Sequence, residues 1–366
     1  MTKNKNTFSK KILFLENIDK LTLPMKKYVH PFKLLDATLI GQGQQGNVYK
    51  TYYNGKRIAL KEMSYTHSVS SNEIKILNWL TENNIDCAVK FLGFTITNEN
   101  NKKYWMMMEY HPAGSLGDYS HYNFSSGYQL IYAITQSVST LHSHGITHGD
   151  IKLNNILLDH VHYDLSESYL NFTSESQIKF CDFSFANSQW PDGTAQYMPP
   201  EIQSLRSHEP VPSLDEAKVD RYKADVYSLA ITIFAIFLNV MHFQNAPEQS
   251  ASISFSEDFF ESHEFDHIHI KLIEHLATLA EQYPKIFLLV LWATHPEPEK
   301  RPTAEELLEQ LETGLDHFST KLISFADSRY GLFLQQKSDH PLLRTVSMED
   351  LHVPESYKNN CFYATL

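Results

Sequence analysis

His148-Gly149-Asp150-Ile151-Lys152-Leu153-Asn154-Asn155, followed roughly 27 residues later by Asp182-Phe183-Ser184, is the stretch on which the reading of this chain turns. It offers an acid, a lysine two residues on, a side-chain amide and then a second acid. Phosphoryl transfer needs few groups, but they must converge. One carboxylate orients a hydroxyl for in-line attack, a cation meets the terminal phosphate, and an amide oxygen with a second carboxylate holds a divalent metal. Asp150, Lys152, Asn155 and Asp182 supply that set in order.

Upstream, Gly41-Gln-Gly43-Gln-Gln-Gly46-Asn-Val48 lies between two runs that read as strands, Leu35–Ile40 and Asn47–Tyr53. Alone, a G-x-G-x-x-G fits a dinucleotide fold or a plain turn equally well. The dinucleotide form wants a helix directly after the glycines, and here a strand and a hairpin follow. Asn54-Gly55 between two apolar runs is a strong hairpin signal, and it leads into Arg57–Met63. Lys61 ends Ala59-Leu60-Lys61 one hairpin beyond the glycines, where it matches a lysine that grips the α- and β-phosphates; an edge charge is the plainer alternative. Ser71–Leu80 reads as a helix carrying Glu73, the candidate partner of Lys61. About a dozen residues separate the two, short for such a pair, and a surface glutamate is its alternative.

Downstream of the strand Tyr104–Glu109 and of Gly114 the pattern becomes helical: Tyr128–His144, Val226–Phe243, Ile268–Gln282, Ile286–Ala293, and a helix opened by the capping box Thr303-x-x-Glu306. A small β-rich lobe therefore precedes a larger helical one. Val226–Phe243 is almost long enough to span a membrane, but it holds Ser228, Thr232 and Asn239 and follows Asp225, which favours a buried core helix. The 366 residues carry a net charge of −12, which argues against a general nucleic-acid binder. Cys87, Cys181 and Cys361 are too few and scattered for a disulfide framework and fit a reducing compartment. The N-terminal stretch lacks the apolar core of a secretory signal.

Together these motifs resemble the eukaryotic-type protein kinase family over about 280 residues, from near Leu35 to near Leu311. The resemblance implies an α+β, bilobal protein-kinase-like fold, with a small β-rich N-lobe over about 35–110 and a larger α-helical C-lobe over about 111–313. Residues 1–34 become an extension and 314–366 a tail. It implies ATP and Mg²⁺ or Mn²⁺ as cofactors, Asp150 as catalytic base, Lys152 on the γ-phosphate, and Asn155 and Asp182 as metal ligands. Ile40, Gly41, Gly43, Gly46, Val48, Ala59, Lys61 and Leu157 would enclose the nucleotide, with Met108 as gatekeeper before a hinge of Glu109, Tyr110 and His111. Gly193 to Glu201 resembles the end of an activation segment, and Asp225-Val-Tyr-Ser-Leu the start of the helix on which the large lobe is built. Arg301 would pair with Glu201. Lys152, and Thr194 bridging Asp150 and Lys152, resemble the serine/threonine branch. The same resemblance accounts for His142, His144 and His148 better than a zinc cluster would, since zinc needs converging ligands.

Three departures stand out. Gly149 replaces the arginine that in the family pairs with a phosphorylated activation segment, and the segment from Asp182 to Glu201 is short, about 20 residues. Both point to activity without activation-segment phosphorylation. Ser184 replaces the glycine after Asp-Phe and should restrict backbone flips. The run from Asn155 to Asp182 is about twice the family length, so His160–Ser176 is expected to be an enlarged, polar hairpin tip. Cys181 reads as a small buried hydrophobe or as a thiol facing the nucleotide. Arg344-Thr-Val-Ser347 resembles a basophilic phosphorylation site.

The expectation is a protein serine/threonine kinase acting on a protein substrate, cytoplasmic, with no membrane span and no nucleic-acid partner. A Lys/Asn-rich leader on a divergent core suits a bacterial effector working in a host cytosol. The alternatives are a pseudokinase scaffold and a kinase-fold enzyme with another transfer, such as nucleotidylation.

Overall fold

A computed structural model of the chain describes residues 37–43, 46–63, 69–97, 103–119, 123–159, 162–163, 170–208, 210–245 and 283–313. The extension expected over 1–34, the helix expected over Ile268–Gln282, Gln44 and Gln45 of the glycine motif, Cys361 and the expected tail with Arg344–Ser347 lie outside these residues.

The N-terminal half opens with strands β1 (Thr38–Gly43), β2 (Gly46–Tyr53) and β3 (Lys56–Met63), followed by helix α1 (Val69–Glu82), β4 (Phe91–Thr97) and β5 (Lys103–Glu109). The five strands form an antiparallel sheet in the order β1-β2-β3-β5-β4. Asn54 and Gly55 both take positive φ, 49° and 75°. That is the backbone a two-residue turn between twisted strands requires, and it closes β2 on β3 at Tyr53 and Lys56. Alternation along β3 and β5 splits the side chains between two faces. Ala59, Met63, Met106 and Met108 join the main core, while Ile58, Leu60, Trp105 and Met107 form a smaller cluster with Tyr49 and Tyr53 on the other side. Lys61 and Met106 pair in register, so Lys61 lies on the main-core face and is buried.

Helix α1 buries Glu73, Ile74, Ile76, Leu77 and Leu80. Helix α2 (Phe124–Ser143) begins at Asn123, whose side chain accepts a hydrogen bond from the Ser126 N–H. It buries Leu130, Ile131, Ile134, Val138 and Leu141, a helical stripe. A short helix α3 (Pro200–Arg206) precedes α4 (Arg221–Asn245). From Val226 to Phe237, α4 is buried almost all round, as befits the central helix of a lobe. Among the described residues no helix is long and apolar enough to cross a membrane. Helices α5 (Pro284–Ala293) and α6 (Ala304–Glu312) pack on α4 and α2. Thr303 and Glu306 make the reciprocal capping bonds expected from their spacing, at 3.1 and 2.9 Å.

Between the halves, β6 (Ile156–Asp159) pairs with β9 (Gln177–Phe180), and the loop joining them carries a second ribbon, β7 (His162–Tyr163) with β8 (Leu170–Asn171). The insertion is therefore more than a polar tip. Leu170 and Phe172 enter the core, and the Phe172 N–H donates to the Ser126 hydroxyl at 3.0 Å. Phe172, on the C-terminal side of the insertion, thus ties its base to α2.

Candidate active site

Two polar clusters meet beneath the sheet. In the first, the Lys61 ammonium donates to both oxygens of Glu73 at 2.9 Å and to Asp182 Oδ1 at 2.8 Å. β3 and α1 bring Lys61 and Glu73 together across their twelve-residue spacing. Both side chains are buried, and Asp182 stays 29% exposed at its side chain. Burial alone would lower the Lys61 pKa, but the carboxylates of Glu73 and Asp182 outweigh it and raise it. Burial alone would raise Asp182, yet the Lys61 charge and the hydrogen bonds from Lys61 and Ser184 hold it at about 2. Glu73, fully enclosed, is pushed up by desolvation against the pull of Lys61.

Ser184 belongs to this cluster. Its hydroxyl accepts from Lys61 at 3.1 Å and lies within hydrogen-bonding distance of Glu73 Oε2, at 3.2 Å, and of Asp182 Oδ1. The sequence presented Ser184 as a missing glycine; its hydroxyl is a tether. Asp182 sits at φ 60°, a left-handed backbone uncommon for a non-glycine residue and enriched at functional sites.

The second cluster centres on Asp150, which is buried. Oδ1 accepts the Thr194 N–H at 2.8 Å. Oδ2 faces Lys152 Nζ at 2.7 Å and accepts from Asn155 Nδ2 at 3.0 Å. Lys152 also donates to the Thr194 hydroxyl at 2.6 Å, so Thr194 touches both. The amide nitrogen of Asn155 also bonds the Asp150 carbonyl, at 2.9 Å, leaving the amide oxygen to offer elsewhere.

Backbone bonds lock the clusters to each other. The Cys181 N–H donates to the Asn155 carbonyl at 3.0 Å, and the Cys181 carbonyl lies 3.0 Å from His148 Nε2. His148 Nδ1 accepts the Asp150 N–H at 3.2 Å. A carbonyl on one side and an N–H on the other fix the tautomer with the proton on Nε2. His148 is fully buried between the rings of Phe180 and Phe183. Beneath it, the Asp225 carboxylate accepts the N–H groups of His148 and Gly149 at 2.7 and 2.9 Å and bonds His142 Nε2 at 3.0 Å. Asp225 thus holds the backbone that carries Asp150, a role the sequence did not single out beyond marking a helix start. Among the described residues no group of three or more His, Cys, Asp or Glu side chains is arranged for a metal.

Gly149 has a positional reason to be glycine. Its φ is +80°, and a Cβ there would lie 2.5 Å from the Phe185 carbonyl oxygen. Gly46 is similarly fixed: φ is +128°, and a Cβ would sit 1.9 Å from the Glu62 carbonyl oxygen. Gly43 pairs with Gly46, and Gly41 with Val48. Ile40 on β1 is exposed. Val48 lies opposite Lys61, and Ala59 opposite Met108. These, with Leu157, border the main core. The hinge is tied at Glu109, whose N–H donates to the Lys90 carbonyl at 3.0 Å; Tyr110 is half-buried and packs on the core, and His111 is buried. Cys181 is partly buried against the core, and desolvation pushes its thiol up to about 12, which removes thiolate reactivity at neutral pH.

The donor set suits a hard divalent cation. Asp182 supplies a carboxylate that stays ionised and partly exposed, and Asn155 an amide oxygen. Farther out, Arg301 is fully buried and forms a fork with Glu201 at 2.7 and 2.7 Å.

Compared with known proteins, residues 35–311 match the family model described as protein kinase domain. Relatives include a Dictyostelium discoideum protein named a probable serine/threonine-protein kinase, 23% identical over 316 residues, covering 80% of this chain and 21% of the relative. Serine/threonine-protein kinase TAO1-A of Xenopus laevis is 28% identical over 313 residues, covering 80% of this chain and 27% of its own. RGS domain-containing serine/threonine-protein kinase A of Dictyostelium discoideum is 28% identical over 232 residues, covering 59% and 17%. The aligned stretch is thus about a quarter or less of each of these relatives.

Proposed function

The chain belongs to the protein kinase family, and we propose that it is a working serine/threonine kinase whose activation segment needs no phosphorylation. The observation that carries a live transfer is the convergence of Lys152, Asn155 and Thr194 on the Asp150 carboxylate, each within hydrogen-bonding distance of it. The substrate hydroxyl oxygen attacks the γ-phosphorus of ATP, the bond to the β-bridging oxygen breaks, and ADP departs with its electron pair. Asp150 orients the hydroxyl and takes its proton. Lys152 offsets charge on the phosphoryl oxygens, and Thr194 keeps Lys152 and Asp150 in register. Lys61, oriented by Glu73, is the cation for the inner phosphates, and the strand pair closed by Gly46 is their cover. Mg²⁺ or Mn²⁺ held by Asn155 and Asp182 would neutralise phosphate charge. Preference for serine and threonine rests on Lys152 and Thr194 together with the named relatives. The protein substrate and a cytoplasmic, reducing setting belong to the same proposal, as does the division into an extension, a domain over 35–313 and a tail.

The test runs the protein with Mg²⁺ and a generic protein substrate, with γ-labelled and α-labelled ATP in parallel, alongside Asp150→Ala. Label from the γ-position only, lost in the variant, is the expected result. Label from the α-position would make the protein a nucleotidyl transferase. Nucleotide binding without any label would make it a scaffold.

A further inference from the structure

Arg221 opens helix α4 directly after Asp220, whose carboxylate caps the helix by accepting the N–H groups of Tyr222 and Lys223 at 3.0 and 3.2 Å. Its guanidinium reaches away from the helix to the segment between Asp182 and Glu201. Nε donates to the Ser188 carbonyl at 2.6 Å and Nη2 to Asp215 Oδ1 at 2.8 Å. Asp215 belongs to a turn that is itself locked. Ser213 and Glu216 exchange side-chain to backbone bonds at 2.9 and 3.2 Å, and the Val219 N–H returns to the Leu214 carbonyl at 2.9 Å. From that turn the Leu214 N–H donates to the Gln189 carbonyl at 2.7 Å. Two consecutive carbonyls of the segment, Ser188 and Gln189, are therefore gripped from one platform.

The ends of the segment are fastened too. Asn187 Oδ1 accepts the Thr147 N–H and hydroxyl at 2.7 and 2.9 Å, and the Thr194 N–H reaches Asp150. Gly149, where the family resemblance places an arginine, cannot supply a clamp, because its positive φ and the Phe185 carbonyl leave no room for a side chain. The Arg221 fork already spends Nε and Nη2 on a carbonyl and a carboxylate of the unmodified chain, and charge-assisted bonds to fixed acceptors are the strong kind.

We propose that Arg221, oriented by Asp215, is the positioning residue that holds the segment around Ser188 in its substrate-accepting form and replaces phosphorylation in that task. This rests on the kinase reading above. Asp215 is 60% exposed at its side chain, so its pairing orients the fork more than it stabilises the fold. The Ser188 bond carries the holding force.

The 366-residue chain is treated with phosphatase and assayed with Mg²⁺-ATP and a generic protein substrate. In parallel, its affinity for a fluorescent ATP analogue and its amide hydrogen exchange are measured. Arg221→Ala should lower kcat/KM for the protein substrate about tenfold or more, the scale set by losing a charged hydrogen bond. Affinity for the analogue should change less than about twofold, since the nucleotide-facing residues are untouched. Amides of residues 188–194 should exchange faster while those of the α4 core hold. Asp215→Asn should show a smaller loss, and Ser188→Asp should fail to rescue Arg221→Ala. Wild-type kcat/KM and segment protection in Arg221→Ala would overturn the proposal. So would rescue by Ser188→Asp, or loss of wild-type activity on phosphatase treatment. If the wild type transfers no phosphate at all, the kinase reading falls on its own, and unchanged exchange at 188–194 in Arg221→Ala would still separately sink the clamp.

Discussion

Replacing Arg301 with lysine keeps the charge and removes the fork. In the folded protein the guanidinium spends its five N–H groups on five contacts. Nε donates to the His295 carbonyl at 2.7 Å, Nη1 to Glu201 at 2.7 Å and the Lys223 carbonyl at 3.1 Å, and Nη2 to Glu201 at 2.7 Å with a long contact to the Pro296 carbonyl at 3.4 Å. The side chain is 0% exposed and Glu201 only 19%, and the Tyr227 ring lies 5.1 Å beneath the cation. An ammonium has three donors on a tetrahedral centre and cannot span carbonyls on one side and a carboxylate on the other. At about 1.5–3 kcal/mol for each charged hydrogen bond, losing two without replacement costs roughly 3–6 kcal/mol. Removing one partner of a buried pair gives a similar 3–5 kcal/mol. Arg301→Lys should therefore cost about 3 kcal/mol, a large share of a typical total of roughly 5–15 kcal/mol. Urea denaturation followed by tryptophan fluorescence would show it as a lower midpoint at unchanged slope. A cycle of Arg301→Met with Glu201→Gln should return a coupling of about 2 kcal/mol or more, because each single change strands the other group. If Arg301→Lys costs less than about 1 kcal/mol, the fork is not what holds the end of the activation segment.

The depressed Asp182 pKa predicts a pH signature. Its contribution is complete above the ordinary carboxylate value of about 4 and is lost as pH falls through about 2, amounting to about 2 kcal/mol after allowing for its partial exposure. Lys61→Met should flatten that part of the stability curve; parallel curves for the two proteins between about pH 4 and pH 2 would contradict it. Gly149→Ala should cost about 2–4 kcal/mol, from a left-handed backbone plus the contact with the Phe185 carbonyl, and a thermal melt indistinguishable from wild type would show that the loop simply yields. Ser184→Gly removes the hydroxyl that links Lys61, Glu73 and Asp182 and frees the backbone. Amide exchange at residues 182–185 should accelerate about 5–30-fold, equivalent to roughly 1–2 kcal/mol, and less in Ser184→Ala; equal rates in all three proteins would remove Ser184 from the tether.

Much was legible in the sequence because local chemistry dictates it. Asn54-Gly55 fixes a hairpin through two positive φ values, and Thr303-x-x-Glu306 opens a helix through reciprocal bonds. The order Asp150, Lys152, Asn155, Asp182 points to phosphoryl transfer because few side chains can do that work. Only tertiary structure could decide what lies far apart in sequence and close in space. Asp225 holds the loop of Asp150 from 75 residues away, as the sequence numbers show, and nothing in the neighbourhood of either residue announces it. The Ser184 hydroxyl joins a network across α1 and β3, the base of the long insertion is anchored in the core by Leu170 and Phe172, and Arg221 grips the Ser188 carbonyl. Hydrogen bonds and ion pairs depend on distances of about 3 Å, and the chain order encodes those distances only after the hydrophobic faces have chosen their partners.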